Sequence, residues 1–197
     1  MRDLLILGAG TAGTMMANHL RRRLPRAEWR LRLVDRSEKH LYQPGLLFLP
    51  FGDYTESQIL RNTRDFVPEG VEFIHAEIGE IRPQDHEVAL ANGNVLSYDV
   101  LIVATGCRTA PEETEGMLGP KWRVNIHDFY TLDGARALRE TLAGFSGGRV
   151  VVHVNEMPVK CPVAPLEFTF LADSYFKKRG IRDHVTLTYV TPLSGAF

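Results

Sequence analysis

DLLILGAGTAG, residues 3–13, is the stretch that decides the fold of the amino-terminal half. Its apolar run predicts a buried strand, and the six residues Gly8–Gly13 form a GxGxxG turn. A segment of helical periodicity follows and ends at Pro25, and a second apolar strand, RLRLVD, closes at Asp35. The helix should place four side chains on one face, namely Met15, Met16, His19 and Leu20. This strand, turn, helix and strand are the setting in which a glycine turn binds a dinucleotide.

Each position of the turn has a physical role in holding phosphate. Gly8 allows the tight turn, Gly10 lets the backbone approach a pyrophosphate, and Gly13 lets the helix pack closely on the strand. Thr11 and Ala12 begin the helix, where free N–H groups and the positive end of the helix dipole favour an anion. The turn is therefore predicted to bind a nucleotide, and the alternative is a glycine turn without a ligand.

Asp35, at the end of the second strand, is predicted to accept hydrogen bonds from a ribose hydroxyl. Arg36 follows it and is predicted to lie in a loop beside the adenine, although a contact with a 2′-phosphate stays open.

Composition excludes several classes of protein. The chain has 197 residues, of which 44% are hydrophobic and 24% charged, which is typical of one globular domain or two small ones. The net charge of -1 gives no electrostatic argument for nucleic acid. No apolar run approaches the roughly 18–20 residues of a membrane helix, and MRDLLILGAG offers no signal peptide. Two cysteines outside any CxxC predict neither a disulfide scaffold nor a metal site.

The middle of the chain indicates which dinucleotide binds. VEFIHAEIGEI and HEVALANGNVLSYDVLIVATG predict two strands, a hairpin with a two-residue turn at Asn92-Gly93, and a strand that ends in Ala104-Thr105-Gly106. This order of pieces resembles the glutathione-reductase-like flavoprotein family, in which the ATG is a second marker. The resemblance implies that the cofactor is FAD, with its adenine near Ala76.

The loop HLYQPG, residues 40–45, resembles a loop that passes near the flavin ring in membrane-associated members of that family. Gln43 and Pro44 are therefore expected to bind the cofactor, and the alternative is a surface turn with one aromatic anchor.

The stretch NEMPVKCPVAPLEF, residues 155–168, lies where a second nucleotide turn is expected. A strand, RVVVHV, precedes it, and a helix, PLEFTFLADSYFKKR, follows and is predicted to end at Gly180. The phosphate-binding glycines are absent, and Pro158, Pro162 and Pro165 have no N–H to donate. The second unit has thus lost its nucleotide site, which argues against NAD(P)H as electron donor.

Cys161 is the candidate catalytic residue of this turn. It lies shortly before a helix N-terminus and beside Lys160, and both features favour a thiolate. Glu167, in the first turn of the helix, is predicted either to move protons or to be a simple N-terminal charge. Cys107 is expected to be a small buried residue, and His127 either a proton donor or a loop residue without a role.

KCPVAPLEF and LADSYFKKRGIRDHVTLTYVTP resemble the sulfide:quinone oxidoreductase family, whose amino-terminal half aligns with nearly all 197 residues. The resemblance implies FAD on the first unit and a sulfur-reactive thiol at Cys161. It also implies sulfide oxidised to persulfide or polysulfide, with electrons passed to a membrane quinone. Many members have a further cysteine where this chain has Ile126-His127-Asp128, so the subclass differs.

The resemblance also implies a peripheral membrane protein, at the cytoplasmic face of a prokaryotic inner membrane. Membrane attachment and a second redox cysteine would come from a carboxy-terminal part beyond VTPLSGAF, and a homo-oligomer stays open. We expect this chain alone to be inactive in turnover, because the second redox cysteine is missing, and to be either truncated or naturally short.

The predicted fold is therefore α/β, with two incomplete Rossmann-like three-layer units of the glutathione-reductase type. The limits are 1–112 for the FAD unit with its β-meander insertion and 113–197 for the second unit, because residues 109–120 are rich in proline, glycine and acids. Two rival functions remain: a type II NADH:quinone oxidoreductase, and a truncated homologue that binds nucleotide without catalysis.

Overall fold

The computed structural model describes residues 1–195, which form two compact units. The first comprises Met1–Tyr42 and Ser57–Arg108, and the second comprises Gln43–Glu56 and the chain from Thr109 onward. The strands are β1 (Arg2–Leu7), β2 (Trp29–Asp35), β3 (Lys39–Leu41), β4 (Leu60–Asn62), β5 (Val71–His75), β6 (Ile78–Arg82), β7 (Glu87–Leu90), β8 (Val95–Ser97), β9 (Val100–Val103), β10 (Gly148–His153) and β11 (Val185–Val190). The helices are α1 (Thr11–Arg21), α2 (Glu56–Ile59), α3 (Leu132–Gly144) and α4 (Ala164–Lys178).

The first unit is built on a four-stranded parallel sheet in the order β5-β2-β1-β9. Leu4 to Leu7 of β1 are all buried, as in a strand that is covered on both faces. Helix α1 covers one face through its buried Gly13 and Ala17. Of the four side chains predicted to share one face of α1, Met15 is 65% exposed and His19 is also exposed, so these two do not contribute to the buried core.

An antiparallel meander, β6-β7-β8, covers the other face of this sheet. Its Val88 and Leu90 form one buried cluster with Leu5, Leu7 and Val34 of the sheet. The first unit therefore has three layers, as predicted from the order of its strands.

The predicted hairpin is present between β7 and β8, but its loop is longer than the predicted two residues. The Leu90 N–H donates to the Asn94 carbonyl at 2.8 Å, so three residues, Ala91 to Gly93, lie in the loop. Gly93 has φ +88, which glycine adopts at little cost.

The second unit is a β-α-β arrangement in which β10 and β11 pair in parallel and α4 lies between them in the chain. Its core is aromatic, with Phe168 of α4 buried and stacked on Phe129 at 4.8 Å between ring centroids and an angle of 6°. The other buried members are Leu47, Leu142, Val152, Ala172, Phe176 and Val185.

Gly180 is the C′ residue just beyond helix α4, as predicted, and has φ +70. The Gly180 N–H donates to the Lys177 carbonyl at 3.0 Å and the Ile181 N–H to the Phe176 carbonyl at 3.1 Å. These two hydrogen bonds are those of a Schellman C-cap, so the helix boundary follows from local chemistry.

Residues 43–56 are included in the predicted 1–112 domain but belong to the second compact unit. Leu47 joins the aromatic core, Phe51 lies 4.9 Å from Phe168 between ring centroids, and Arg136 Nε donates to Glu56 Oε2 at 2.7 Å. The limits 1–112 and 113–197 stay a prediction. The last two residues of VTPLSGAF, Ala196 and Phe197, lie outside the described residues. Within residues 1–195, no helix is both long and apolar enough to cross a bilayer.

Candidate nucleotide and cysteine sites

The glycine turn after β1 packs directly on the end of β9. A Cβ at Gly8 would lie 2.4 Å from the Ala104 carbonyl oxygen, and a Cβ at Gly13 would lie 1.7 Å from the Gly8 carbonyl oxygen. Both distances are shorter than any real Cβ contact, so only glycine fits these positions without movement of the backbone. The GxGxxG turn and the ATG segment are thus parts of one site.

Gly10 differs from its neighbours because the position of its missing Cβ is open, with nothing within 4 Å. Gly10 is also the N-cap of α1, and no side chain caps the helix. The N–H groups of the first turn, beginning at the exposed Thr11 and Ala12, have no acceptor within the helix itself. This open, uncapped helix N-terminus fits the pyrophosphate of a dinucleotide.

Asp35 is anchored against the glycine turn. Its Oδ2 accepts the Ala9 N–H at 2.6 Å, and its Oδ1 accepts the Ser37 N–H at 2.8 Å. A carboxylate offers about four acceptor positions, so Asp35 retains capacity for ribose hydroxyls. The Ala76 N–H donates to the Asp35 carbonyl at 2.9 Å, which places the predicted adenine position beside the predicted ribose ligand.

The remaining predicted cofactor residues of the first unit lie around the same strand ends. Arg36 is exposed, and its guanidinium lies 3.9 Å from the carboxylate of Glu77, the residue after Ala76. The Ala104 N–H donates to the Leu7 carbonyl at 2.7 Å, after which Thr105 and Gly106 are exposed.

His40 supports the glycine turn, a role that was not predicted from the sequence. Its ring is buried, and Nδ1 donates to the Ala9 carbonyl at 3.0 Å, since a carbonyl can only accept. The ring also lies 4.4 Å from that of Phe66. No periodic pattern links positions 9 and 40, so only the fold reveals this contact.

Cys161 lies in the turn between β10 and α4, which contains no glycine. It is exposed, and its φ of +54 is in the left-handed region that L-residues seldom adopt. Its carbonyl accepts the Ala164 N–H at 3.1 Å and the Tyr130 hydroxyl at 3.2 Å. Cys161 is therefore not a buried structural thiol. Cys107 is also exposed, which corrects the expectation that it is buried.

Lys160 makes a contact that sequence reasoning did not predict. Its Nζ donates a hydrogen bond to Oε1 of Gln43, in the short 3₁₀ turn Gln43–Leu47. Gln43 and Pro44 are exposed members of the second unit, and so share that unit with the cysteine turn. The structure thus joins the predicted flavin loop to the turn that holds the thiol.

Glu167 is exposed and lies in the first turn of α4, as predicted. Its N–H donates to the Val163 carbonyl at 3.0 Å, and Val163 is the N-cap that follows the cysteine turn. Its role in proton transfer stays a prediction.

Tyr130 and the residues that hold it were missed by the sequence reasoning. Asp128 Oδ1 accepts the N–H groups of Tyr130 at 3.0 Å and of Thr131 at 2.8 Å, and Thr131 is the N-cap of α3. Arg123 lies 3.1 Å from Asp128 Oδ2 and completes the group.

The side chain of His127 is half-buried and hydrogen-bonded within the protein. Its half-buried ring donates from Nε2 to the Val124 carbonyl at 3.1 Å. Burial lowers the pKa of His127, the nearby Arg123 lowers it further, and the bond to Val124 opposes both. The neutral ring is therefore favoured. Within residues 1–195, no three His, Cys, Asp or Glu side chains cluster in a way that would hold a metal ion.

Comparison with known proteins identifies the family. Residues 2–153 match the family described as pyridine nucleotide-disulphide oxidoreductase, and the chain belongs to it. The predicted α/β fold is that of this family and of the matching structures, and the predicted cofactor, FAD, is that of the family. The matched residues end with β10, immediately before the cysteine turn.

Two similar proteins are named for one reaction. The mitochondrial sulfide:quinone oxidoreductase of Mus musculus is 29% identical over 195 residues, which are 99% of this chain and 43% of that protein. The crystal structure of the sulfide:quinone oxidoreductase of Aquifex aeolicus superposes with a TM-score of 0.80 at 23% identity, over 97% of this chain and 43% of that one. The chain thus spans less than half the length of these relatives.

Proposed function

We propose that this chain takes part in the FAD-dependent oxidation of sulfide, with the electrons passed to a membrane quinone. The observation that carries the proposal is the turn between β10 and α4, which presents an exposed Cys161 and no glycine. The names of the relatives from Mus musculus and Aquifex aeolicus support the same reaction.

In this reaction the Cys161 thiolate forms a bond to the sulfur of hydrogen sulfide, giving a persulfide. Sulfur is oxidised, so one electron pair leaves together with the two protons of hydrogen sulfide, and the product is a deprotonated persulfide on Cys161. FAD, when bound, supplies the acceptor for that electron pair, and a quinone then takes the pair onward. Glu167, near the start of the helix that follows the thiol, is the group proposed to carry a proton to solvent.

The other residues bind and position. The helix N-terminus at Gly10 to Ala12 would hold the pyrophosphate, and Asp35 would hold the ribose. Gln43 and Pro44 are proposed to contact the flavin. Lys160 orients Gln43 through its hydrogen bond.

The rival reading takes NADH as the electron donor. A type II NADH:quinone oxidoreductase of Staphylococcus haemolyticus is 28% identical over 121 residues, which are 61% of this chain. Against this reading, the strand–helix turn of the second unit contains Pro158 and Pro162, and Pro165 lies in the first turn of α4, where phosphate-binding N–H groups are needed. This unit therefore has no glycine turn that could bind NADH.

The proposed location is the membrane surface, where a quinone is available. We propose further that this membrane is a prokaryotic inner membrane and that the protein lies at its cytoplasmic face. The relatives include both mitochondrial and bacterial proteins, so their names do not select one compartment.

An anaerobic titration of the FAD-loaded chain tests the reaction. Sulfide is expected to bleach the visible flavin bands, and NADH at the same concentration is expected to leave them unchanged. Bleaching by NADH alone would favour the type II dehydrogenase. If neither reagent acts although FAD is bound, the non-catalytic homologue is favoured.

A further inference from the structure

The turn that presents Cys161 needs an external support. Residues 155–163 lie outside helix and strand, and Cys161 holds φ +54 without being glycine. The left-handed conformation is unfavourable for an L-residue and persists only where the surroundings impose it. Something outside the turn must therefore select this conformation.

The Cys161 carbonyl supplies the point of attachment. One of its two hydrogen bonds is local, from the Ala164 N–H at the start of α4. The other comes from the hydroxyl of Tyr130, which is 31 residues earlier in the chain. Of these two bonds, only the one from Tyr130 ties the turn to another part of the second unit.

Tyr130 is itself held firmly enough to act as a support. Asp128 Oδ1 accepts its backbone N–H at 3.0 Å. Its ring stacks on Phe129 at 5.0 Å between centroids, and Phe129 stacks in turn on the buried Phe168 of α4. The ring is therefore fixed to the aromatic core, and its hydroxyl points to the cysteine turn.

The hydroxyl remains a donor under all working conditions. Burial, with a contribution from Cys161 nearby, raises the pKa of Tyr130 to about 12. The phenol thus stays protonated at neutral and mildly alkaline pH.

We propose that Tyr130 is a positioning residue for Cys161: its hydroxyl bond to the Cys161 carbonyl holds the left-handed turn and so presents the thiol in one orientation. This role deepens the proposed function and rests on it. The Cys161 thiol must react with sulfide and then with the flavin, and this sequence depends on the orientation of the thiol. A loosened turn should therefore slow the reaction without weakening the capture of sulfide.

The test compares Tyr130→Phe with the FAD-loaded parent chain. Phenylalanine keeps the stacked ring and removes only the hydroxyl. Tyr175→Phe is the matched control, because Tyr175 packs in the same core, 5.6 Å from Phe51. Amide hydrogen exchange of residues 157–164 reports the turn, and anaerobic stopped-flow bleaching of the flavin at varied sulfide reports the reaction.

Within residues 157–164, we expect exchange of the Ala164 amide, which donates to the same Cys161 carbonyl, to be about three- to tenfold faster in Tyr130→Phe, the range that the loss of one hydrogen bond allows. The limiting rate of bleaching should fall by a similar factor, with the half-saturating sulfide concentration and the bound FAD unchanged. Tyr175→Phe should change neither.

Unchanged exchange in Tyr130→Phe would show that the Tyr130 hydroxyl does not hold the turn and would overturn the proposal. Faster exchange with an unchanged limiting rate would overturn the positioning role and leave Tyr130 a structural residue. If the parent chain is not bleached by sulfide at all, the proposed function fails, while the exchange data still decide whether Tyr130 holds the turn.

Discussion

Lys160 donates a hydrogen bond from Nζ to Oε1 of Gln43, a residue that precedes it by 117 positions. The contact joins two stretches that were predicted for different purposes, one to touch the flavin and one to carry the reactive thiol. Lys160 therefore has a partner other than the thiol, and we expect it to act by orienting Gln43.

Lys160→Met and Gln43→Leu should each slow sulfide-dependent bleaching of the flavin by about three- to tenfold, because each removes the same hydrogen bond. The double variant should be no slower than either single one, since coupled residues are not additive. Lys178→Met, at the exposed end of helix α4, should have no effect. Additive effects, with the larger one from Lys160, would instead show that Lys160 acts on the thiol directly.

Two glycines of the same turn should respond differently to alanine. Gly13→Ala places a Cβ 1.7 Å from the Gly8 carbonyl oxygen, so the turn must shift, and we expect a lower melting temperature and loss of FAD. Gly10→Ala meets no protein atom within 4 Å, so the melting temperature of the apoprotein should be preserved.

FAD retention should nevertheless fall in Gly10→Ala, because the new methyl group occupies the space through which a pyrophosphate approaches. The flavin-to-protein absorbance ratio and a thermal melt of the apoprotein give both results. Full FAD retention by Gly10→Ala would contradict the placement of the pyrophosphate at this helix N-terminus.

The parts of the fold that the sequence predicted are those set by local chemistry. Strand β1 is recognisable by its apolar run, and α4 ends where Gly180 provides a left-handed residue. The buried face of α1 did not follow from its large apolar residues, because the small residues Gly13 and Ala17 make the close contact with the sheet and Met15 lies in solvent.

The association of residues 43–56 with the second unit was not predictable from local patterns. It depends on Leu47 and Phe51 finding partners in α4 and α3, and these contacts are distant in sequence. Domain limits drawn from composition assume that each domain is one continuous segment of the chain, and residues 43–56 do not fit that assumption.

The nucleotide site was easier to predict from the sequence than the cysteine site. Gly8, Asp35 and Ala104 were each predicted as cofactor residues, and they lie close together because parallel strands bring their carboxyl ends to one edge of the sheet. His40 and Tyr130 act through single hydrogen bonds to residues 31 positions away, to Ala9 and Cys161 respectively. Such contacts have no sequence period and become visible only in the fold.

Cys161→Ser should abolish the bleaching of flavin by sulfide and leave FAD bound, because the thiolate is the group proposed to take the sulfur. Cys107→Ser is the matched control, since Cys107 is the other exposed free cysteine and lies in the first unit. The control should keep the parent rate. Equal loss in both variants, or retained bleaching in Cys161→Ser, would remove Cys161 from the reaction.

Stability should depend on pH through His127. Because burial lowers its pKa in the folded chain, the unfolded state binds more protons below the ordinary histidine value of about 6.5. The free energy of unfolding should therefore decrease as the pH falls from 7 through this value. His127→Gln, which keeps a donor for the Val124 carbonyl, should flatten that part of the curve in urea titrations. His153→Gln, at an exposed strand position, should leave the slope as in the parent, and a parental slope in His127→Gln would contradict the assignment.

The most direct test of the central claim is peptide mass spectrometry of the FAD-loaded chain after one anaerobic equivalent of sulfide, with free thiols blocked at once. The account predicts that the peptide containing Cys161 gains the mass of one sulfur atom while the peptide containing Cys107 gains none. Bleached flavin together with an unmodified Cys161 thiol would contradict it.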